Sequence, residues 1–108
     1  MGLELFYAIL KRMIFEVGIV PLDKGESVGK YVAKVIKIIH KSNLPHKLTA
    51  MSTQIEGEWD EVMPLIKECH EEMRKLSNRV LTSIKIDDRK NAKNRLTGKV
   101  DDVVKLLK

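Results

Sequence analysis

Between residues 13 and 20 apolar side chains fall on every second position: Met13, Phe15, Val17 and Ile19 on one side, with Ile14, Glu16, Gly18 and Val20 on the other. That alternation predicts a strand with one strongly apolar face. Pro21 ends it, because proline cannot donate to a ladder. After the turn LDKGE the period changes to that of a helix, with Val28, Val32, Val35, Ile36 and Ile39 along one stripe and Ser27 placed to cap its start. Asn43 and Pro45 mark its end. Two short alternating runs, residues 48–52 and 53–57, predict a pair of strands, and Gly57 supplies freedom before the next helix.

That helix is predicted to open near Asp60, with Val62, Ile66, Cys69, Met73 and Leu76 at alternating intervals of four and three. Pro64 is tolerated only in a first turn, so the helix should begin close to it. Residues 79–87 alternate again: Val80, Thr82, Ile84 and Ile86 face one way, Leu81, Ser83, Lys85 and Asp87 the other. A charged loop, DDRKNAKNR, leads to a final short helix opened by Thr97 or Gly98 and carrying Val100, Val103, Val104 and Leu107 on one side.

The predicted order is strand, helix, strand, strand, helix, strand, with a helix appended. This is the α+β class, a ferredoxin-like βαββαβ sandwich with an additional C-terminal helix. One sheet face is then covered by helices. The other, with Glu16, Gly18, Thr49, Met51, Gln54, Glu56, Ser83 and Lys85 on it, is uncovered within a single chain. Its mixed character suits packing against another subunit, and Ile14, Val20, Leu81 and Met51 are its apolar members. The 108 residues fit one domain, assigned to 13–108. Residues 1–12 are set apart as an N-terminal extension, whose Leu3, Leu5, Phe6, Ile9 and Leu10 need cover from a neighbouring subunit.

Charge changes the picture only slightly. The net charge of +5 makes nucleic acid or a phosphate-bearing ligand a candidate, but the excess is spread along the chain as on a solvated surface. A single cysteine, Cys69, cannot form an internal disulfide and does not point to an oxidising compartment; a cytoplasmic location is expected. No apolar run reaches the ~18 residues of a membrane span, and the opening MGLELFYAIL is short and wrongly flanked for a signal peptide. Phe6 stands where a myristoylation motif needs Ser or Thr.

Candidate chemistry is sparse. Cys69 and His70 are consecutive on a helix and point apart, which argues against a nucleophile and its base. His40, His46 and His70 lie in separate elements without ligand spacing, so no metal is expected. No glycine-rich phosphate loop is present. Lys85, Arg89, Lys90, Lys93, Arg95 and Lys99 cluster late in the chain as in RNA readers, but such readers stack bases on sheet aromatics. Phe15, the only strand aromatic, falls on the helix-covered face, and the basic run reads as a solvated loop. Glu16, Glu56 and Lys85 should share the uncovered face, where they either neutralise one another across strands or present a carboxylate to a cationic ligand.

The densest polar group is LTAMSTQIEGEWDE, residues 48–61, where an alternating run gives way to hydroxyls and carboxylates. Such groups can simply turn a chain and cap a helix. Together with IVPLDKGESVGKYVAKVIK, the continuation VMPLIKECH and TSIKIDDR, however, the stretch closely resembles the small thiamine-binding protein family, from about Met13 to the C-terminus. Three motifs in the same order and spacing carry the resemblance. Ser52 replaces a glycine common in that family, and Pro64 a helix former.

The resemblance implies a ferredoxin-like homo-oligomer, a tetramer, that binds thiamine or its hydroxymethylpyrimidine moiety without turning it over. It further implies a vitamin-binding protein serving sequestration, buffering or delivery, with thiamine as ligand and no cofactor or metal. By match to the family motifs, Ser27 and Tyr31 stand near the ligand, with Thr49, Met51, Ser52, Thr53, Glu56 and Trp59 around it and Asp87 as a further candidate. For Tyr31 and Trp59 core packing is the competing role. Alternatives are a structural or regulatory oligomer for another small heterocycle and, less favoured, an RNA-binding module.

Overall fold

The computed structural model describes residues 12–90 and 95–108. The alternation at the start of the chain forms β1 (Met13–Pro21), and the helical stripe that follows forms α1 (Gly29–Lys41). Next come β2 (His46–Leu48), β3 (Thr53–Gly57), α2 (Trp59–Leu76), β4 (Val80–Asp87) and α3 (Arg95–Leu106). The strands make one antiparallel sheet in the order β2-β3-β1-β4. β1 and β2 thus run parallel with β3 inserted between them, which is the split arrangement of a ferredoxin-like fold.

Period-2 burial follows the predicted alternation. Met13, Phe15, Val17 and Ile19 are buried under α1 and α2, together with Ile55, Val35, Ile39, Val62, Ile66, Cys69 and Met73. Phe15 and Ile55 are register partners and both are fully enclosed.

The structure corrects several local expectations. The second strand does not run over 48–52: it spans His46–Leu48, starting two residues and ending four residues earlier, and 49–52 form a turn. The cause is Thr49, whose amide donates to the Ser52 carbonyl at 2.8 Å and whose hydroxyl donates to the same oxygen at 2.9 Å. These bonds close the chain on itself where a ladder would continue. Thr49 and Met51 therefore leave the sheet face on which they were placed, and Met51 stands 92% exposed on the turn.

Ser27 does not cap α1; the cap position is Val28, whose carbonyl receives the Tyr31 and Val32 amides. α2 opens five residues before Pro64, because Glu58 and Glu61 form a capping box, the Glu58 amide donating to Glu61 Oε1 at 3.0 Å. Pro64 consequently lies inside the helix, where it removes one backbone bond to Asp60. α3 begins at Arg95, ahead of Thr97.

Candidate functional site

The second face of the sheet carries Ile14, Glu16, Gly18 and Val20 of β1. Beside them lie Gln54 and Glu56 of β3, and Leu81, Ser83, Lys85 and Asp87 of β4. Register places Glu16 between Gln54 and Lys85, and Ile14 between Glu56 and Asp87. Glu16, Glu56 and Lys85 do share this face, as expected, but Glu56 is not opposite Lys85. It sits one pair further along, at the end where α3 crosses.

That crossing corrects the expectation of a wholly uncovered face. The Leu96 amide, in the first turn of α3, donates to Glu56 Oε2 at 2.7 Å. A carboxylate here satisfies a helix-start N–H that has no partner within the helix, and its charge suits the positive end of the helix dipole. On the other side Arg12 approaches Glu56 Oε1 at 3.9 Å and Glu61 at 3.7 Å. Glu56 is thereby held at 2% exposure as the joint between β3, α3 and the residue preceding β1. Lys99 adds an ion pair with Asp87 from one turn further along α3.

Between α3 and the sheet lies a cleft of about 280 Å³. Its floor is Ile14, Glu16, Gln54, Lys85 and Asp87, and its wall is Arg95, Leu96, Lys99 and Val100. Two carboxylates, an amide, three cations and three apolar side chains therefore face a common space. Such a set can orient a small polar heterocycle, with apolar walls against its rings and hydrogen-bonding groups at its edge.

The nine residues singled out from sequence do not converge within one chain. Glu56 and Asp87 belong to the α3 end, Asp87 lining the cleft and Glu56 buried behind it. Trp59 lies at the same end, half exposed and tilted against Phe15 with ring centroids 6.2 Å apart. Thr53 pairs opposite Val17 with its side chain turned to the helix side and buried. Thr49, Met51 and Ser52 make the turn beyond it. Ser27 precedes α1 and is exposed, and Tyr31 packs against the core with Lys24 and Lys30 ammonium groups 5.9 and 5.1 Å from its ring centre. These last six lie toward the Pro21 end of β1, away from the cleft.

Arg12, Arg95 and Lys99 were missed as site residues. For Arg95 and Lys99 the signal was the late cluster of basic residues, which reads as a solvated loop until α3 is folded back over the sheet; Arg12, at the end of the N-terminal extension, carries no such signal. Lys93, part of that cluster, lies outside the described residues, as do the apolar side chains of the N-terminal extension.

The remaining reactive groups are accounted for. Cys69 is buried with its thiol 3.9 Å from the Val35 carbonyl, and burial, aided by Glu68, pushes its pKa up to about 12. His70 faces away from it and shares a 2.6 Å hydrogen bond with Thr82. His40 of α1 and His46 of β2, six positions apart, meet edge to face at 5.6 Å. Among the described residues no group of three or more His, Cys, Asp or Glu side chains is placed to hold a metal ion. Nor is any described helix long and apolar enough to cross a membrane.

Comparison with known proteins places these features in a family. A family model described as thiamine-binding protein matches residues 15–104. The UPF0045 protein MJ1052 of Methanocaldococcus jannaschii is 38% identical over 97 residues, covering 90% of this chain and 97% of that protein. Its crystal structure superimposes with a TM-score of 0.81 over 87% of this chain and 97% of the other. The UPF0045 protein sll0230 of Synechocystis is 37% identical, covering 85% of this chain and 77% of that one. A domain from Bacillus cereus, termed DUF77, is 28% identical with a TM-score of 0.74, covering 86% of this chain and 90% of its own.

Proposed function

Because the chain belongs to the thiamine-binding protein family, we propose that it binds thiamine or its hydroxymethylpyrimidine moiety without chemical turnover, so as to sequester, buffer or deliver it. The observation that carries this reading is the family match over residues 15–104. The cleft supports it: Glu16, Gln54 and Asp87 can answer the donors and acceptors of an aminopyrimidine, and Ile14, Leu96 and Val100 can flank a flat ring. The buried Cys69 and the engaged His70 support binding without catalysis.

The working form in this proposal is a cytoplasmic homotetramer. Val20 and Leu81 are register partners on the open face and both are exposed, as are Val100, Val103 and Val104 of α3 and Leu107 just past its end. Association would cover this apolar surface. It would also bring the Ser27, Tyr31, Thr49, Met51, Ser52 and Thr53 end of one subunit toward the Trp59 and Asp87 end of another, where Glu56 holds the cleft wall, completing the ligand set between chains.

The test is a calorimetric titration against thiamine and hydroxymethylpyrimidine, followed by recovery of the ligand, with light scattering on the same sample. Saturable binding, intact ligand and a multiple of the monomer mass are expected. A monomer at micromolar concentration would remove the intersubunit site. A product formed from thiamine would overturn the non-enzyme reading. Saturable binding of a different heterocycle alone would favour a structural or regulatory oligomer.

A further inference from the structure

A second cleft, of about 270 Å³, adjoins the first and is lined by Arg12, Asp87, Arg89, Arg95 and Lys99. The two share Asp87, Arg95 and Lys99, so they meet beneath the first turn of α3. Taken together their linings carry five cations, counting Lys85, against two carboxylates, Glu16 and Asp87. Glu56 and Glu61 answer Arg12, and Asp102 answers Arg95, from outside the linings, so the positive excess that a ligand meets is centred on Arg89. That excess favours a ligand that brings a negative group next to its ring.

The cations differ in how firmly they are held. Arg12 is committed to the buried Glu56 and acts as a fixed wall. Arg95 pairs with Asp102 at 3.0 Å and Lys99 with Asp87, but the carboxylate of Asp102 is 59% exposed and that of Asp87 47%. Ion pairs so open to solvent are weak and exchange partners readily. Arg89 has no ion pair among the described residues. A phosphate monoester carries a charge of about −1.5 to −2 at neutral pH and three acceptor oxygens, which match planar guanidinium groups in shape and sign.

We propose that the second cleft is a phosphate subsite, formed by Arg89, Arg95 and Lys99, and that the ligand of the adjoining cleft is a phosphate ester, its ring against Ile14 and Val100. The proposal rests on the heterocycle-binding reading above and adds the ligand's phosphorylation state.

The full-length protein is titrated at constant ionic strength with thiamine, thiamine monophosphate, hydroxymethylpyrimidine, its phosphate, and pyrophosphate alone. Charge-assisted hydrogen bonds predict that each ester binds about ten- to a hundredfold more tightly than its parent. Arg89→Gln and Lys99→Gln should shrink that ratio several-fold, whereas Lys67→Gln, the same charge change on the outer side of α2, should leave it intact. Parents that bind as well as their esters would overturn the subsite while the vitamin-binding reading stands. An equal loss in Lys67→Gln would overturn it too, since general charge would then explain the preference. Pyrophosphate binding that depends on Arg89, without binding of any pyrimidine, would uphold the subsite and sink the vitamin reading. No binding by any probe would overturn both.

Discussion

The two faces of the sheet are built from the same strands yet obey different rules. On the helix-covered face every position of β1 is apolar, and Phe15, Ile55, Val62, Met73 and Cys69 close over one another. On the other face neighbours in register are Glu16 with Gln54 and Lys85, and Ile14 with Glu56 and Asp87, while α3 covers one end only. The first face gains its stability from area removed from water, which is insensitive to ligand. The second keeps charges part-solvated around a cleft, an arrangement that contributes little to folding and leaves its polar groups open to a ligand.

The largest effect should come from the closed face. Phe15→Ala is expected to cost about 4 kcal/mol in urea unfolding, because a fully enclosed aromatic leaves a cavity that the sheet cannot collapse. Gln54→Ala, on the same sheet but facing the cleft, should change stability by less than about 0.5 kcal/mol while weakening ligand binding. Equal destabilisation by the two would break the distinction between the faces.

Glu56 tests the boundary between them. Its carboxylate joins Arg12 to the start of α3, so Glu56→Gln should cost about 2 kcal/mol and lower hydrogen-exchange protection in α3 first. Any loss of ligand affinity would then follow from loosening the cleft wall. Lys85→Met should leave α3 protection unchanged, since Lys85 stands opposite Glu16. Unchanged exchange in α3 of the Glu56 variant would show that the helix is held by its other contacts.

A smaller effect is expected at Cys69. Its thiol is held protonated up to about pH 12, against an ordinary value of 9.0. The folded state therefore keeps a proton that the unfolded chain releases, so its contribution is complete below pH 9 and is lost as pH rises toward 12. Iodoacetamide at pH 8 should modify Cys69 only at the rate of unfolding. Rapid labelling of the native protein would show that the closed face opens locally.

The smallest effect concerns the loop after β1, beyond either face. Asp23 accepts hydrogen bonds from the Ser77 hydroxyl and, at 2.9 Å, from the Asn78 amide, and these hold its pKa below the usual 3.8. A depressed carboxylate stabilises the fold above its unfolded pKa and loses that contribution as pH falls through the folded value. Asp23→Asn should thus lower the melting temperature slightly at pH 7, with the difference from wild type disappearing in acid below that folded value. A difference that persists in full there would assign the effect to shape and not to charge.

Much of the fold was legible in the chain. Period-2 alternation is a direct signature of a sheet with one buried face, and it marked β1, β3 and β4 and both of their sides before any contact was known. Helical stripes marked α1 and α2 in the same way, and three motifs pointed to the family that matches residues 15–104. The local errors have local causes: Thr49 bonded to Ser52 ended a strand at Leu48, and the capping box of Glu58 with Glu61 started α2 ahead of Pro64.

The site was less legible, because it depends on contacts between residues far apart in sequence. Glu56 and Leu96 are 40 positions apart, and Arg12 and Glu56 are 44 apart. Nothing in the local pattern around any of these residues says that α3 folds back to place its first turn on a β3 carboxylate. A single sequence encodes periodicity, turn chemistry and charge, each a property of neighbours along the chain, and these determined the layers and their faces. Only the tertiary structure decided that Glu56 is a buried joint, and that the late basic residues wall a cleft, since both follow from where a terminal helix docks.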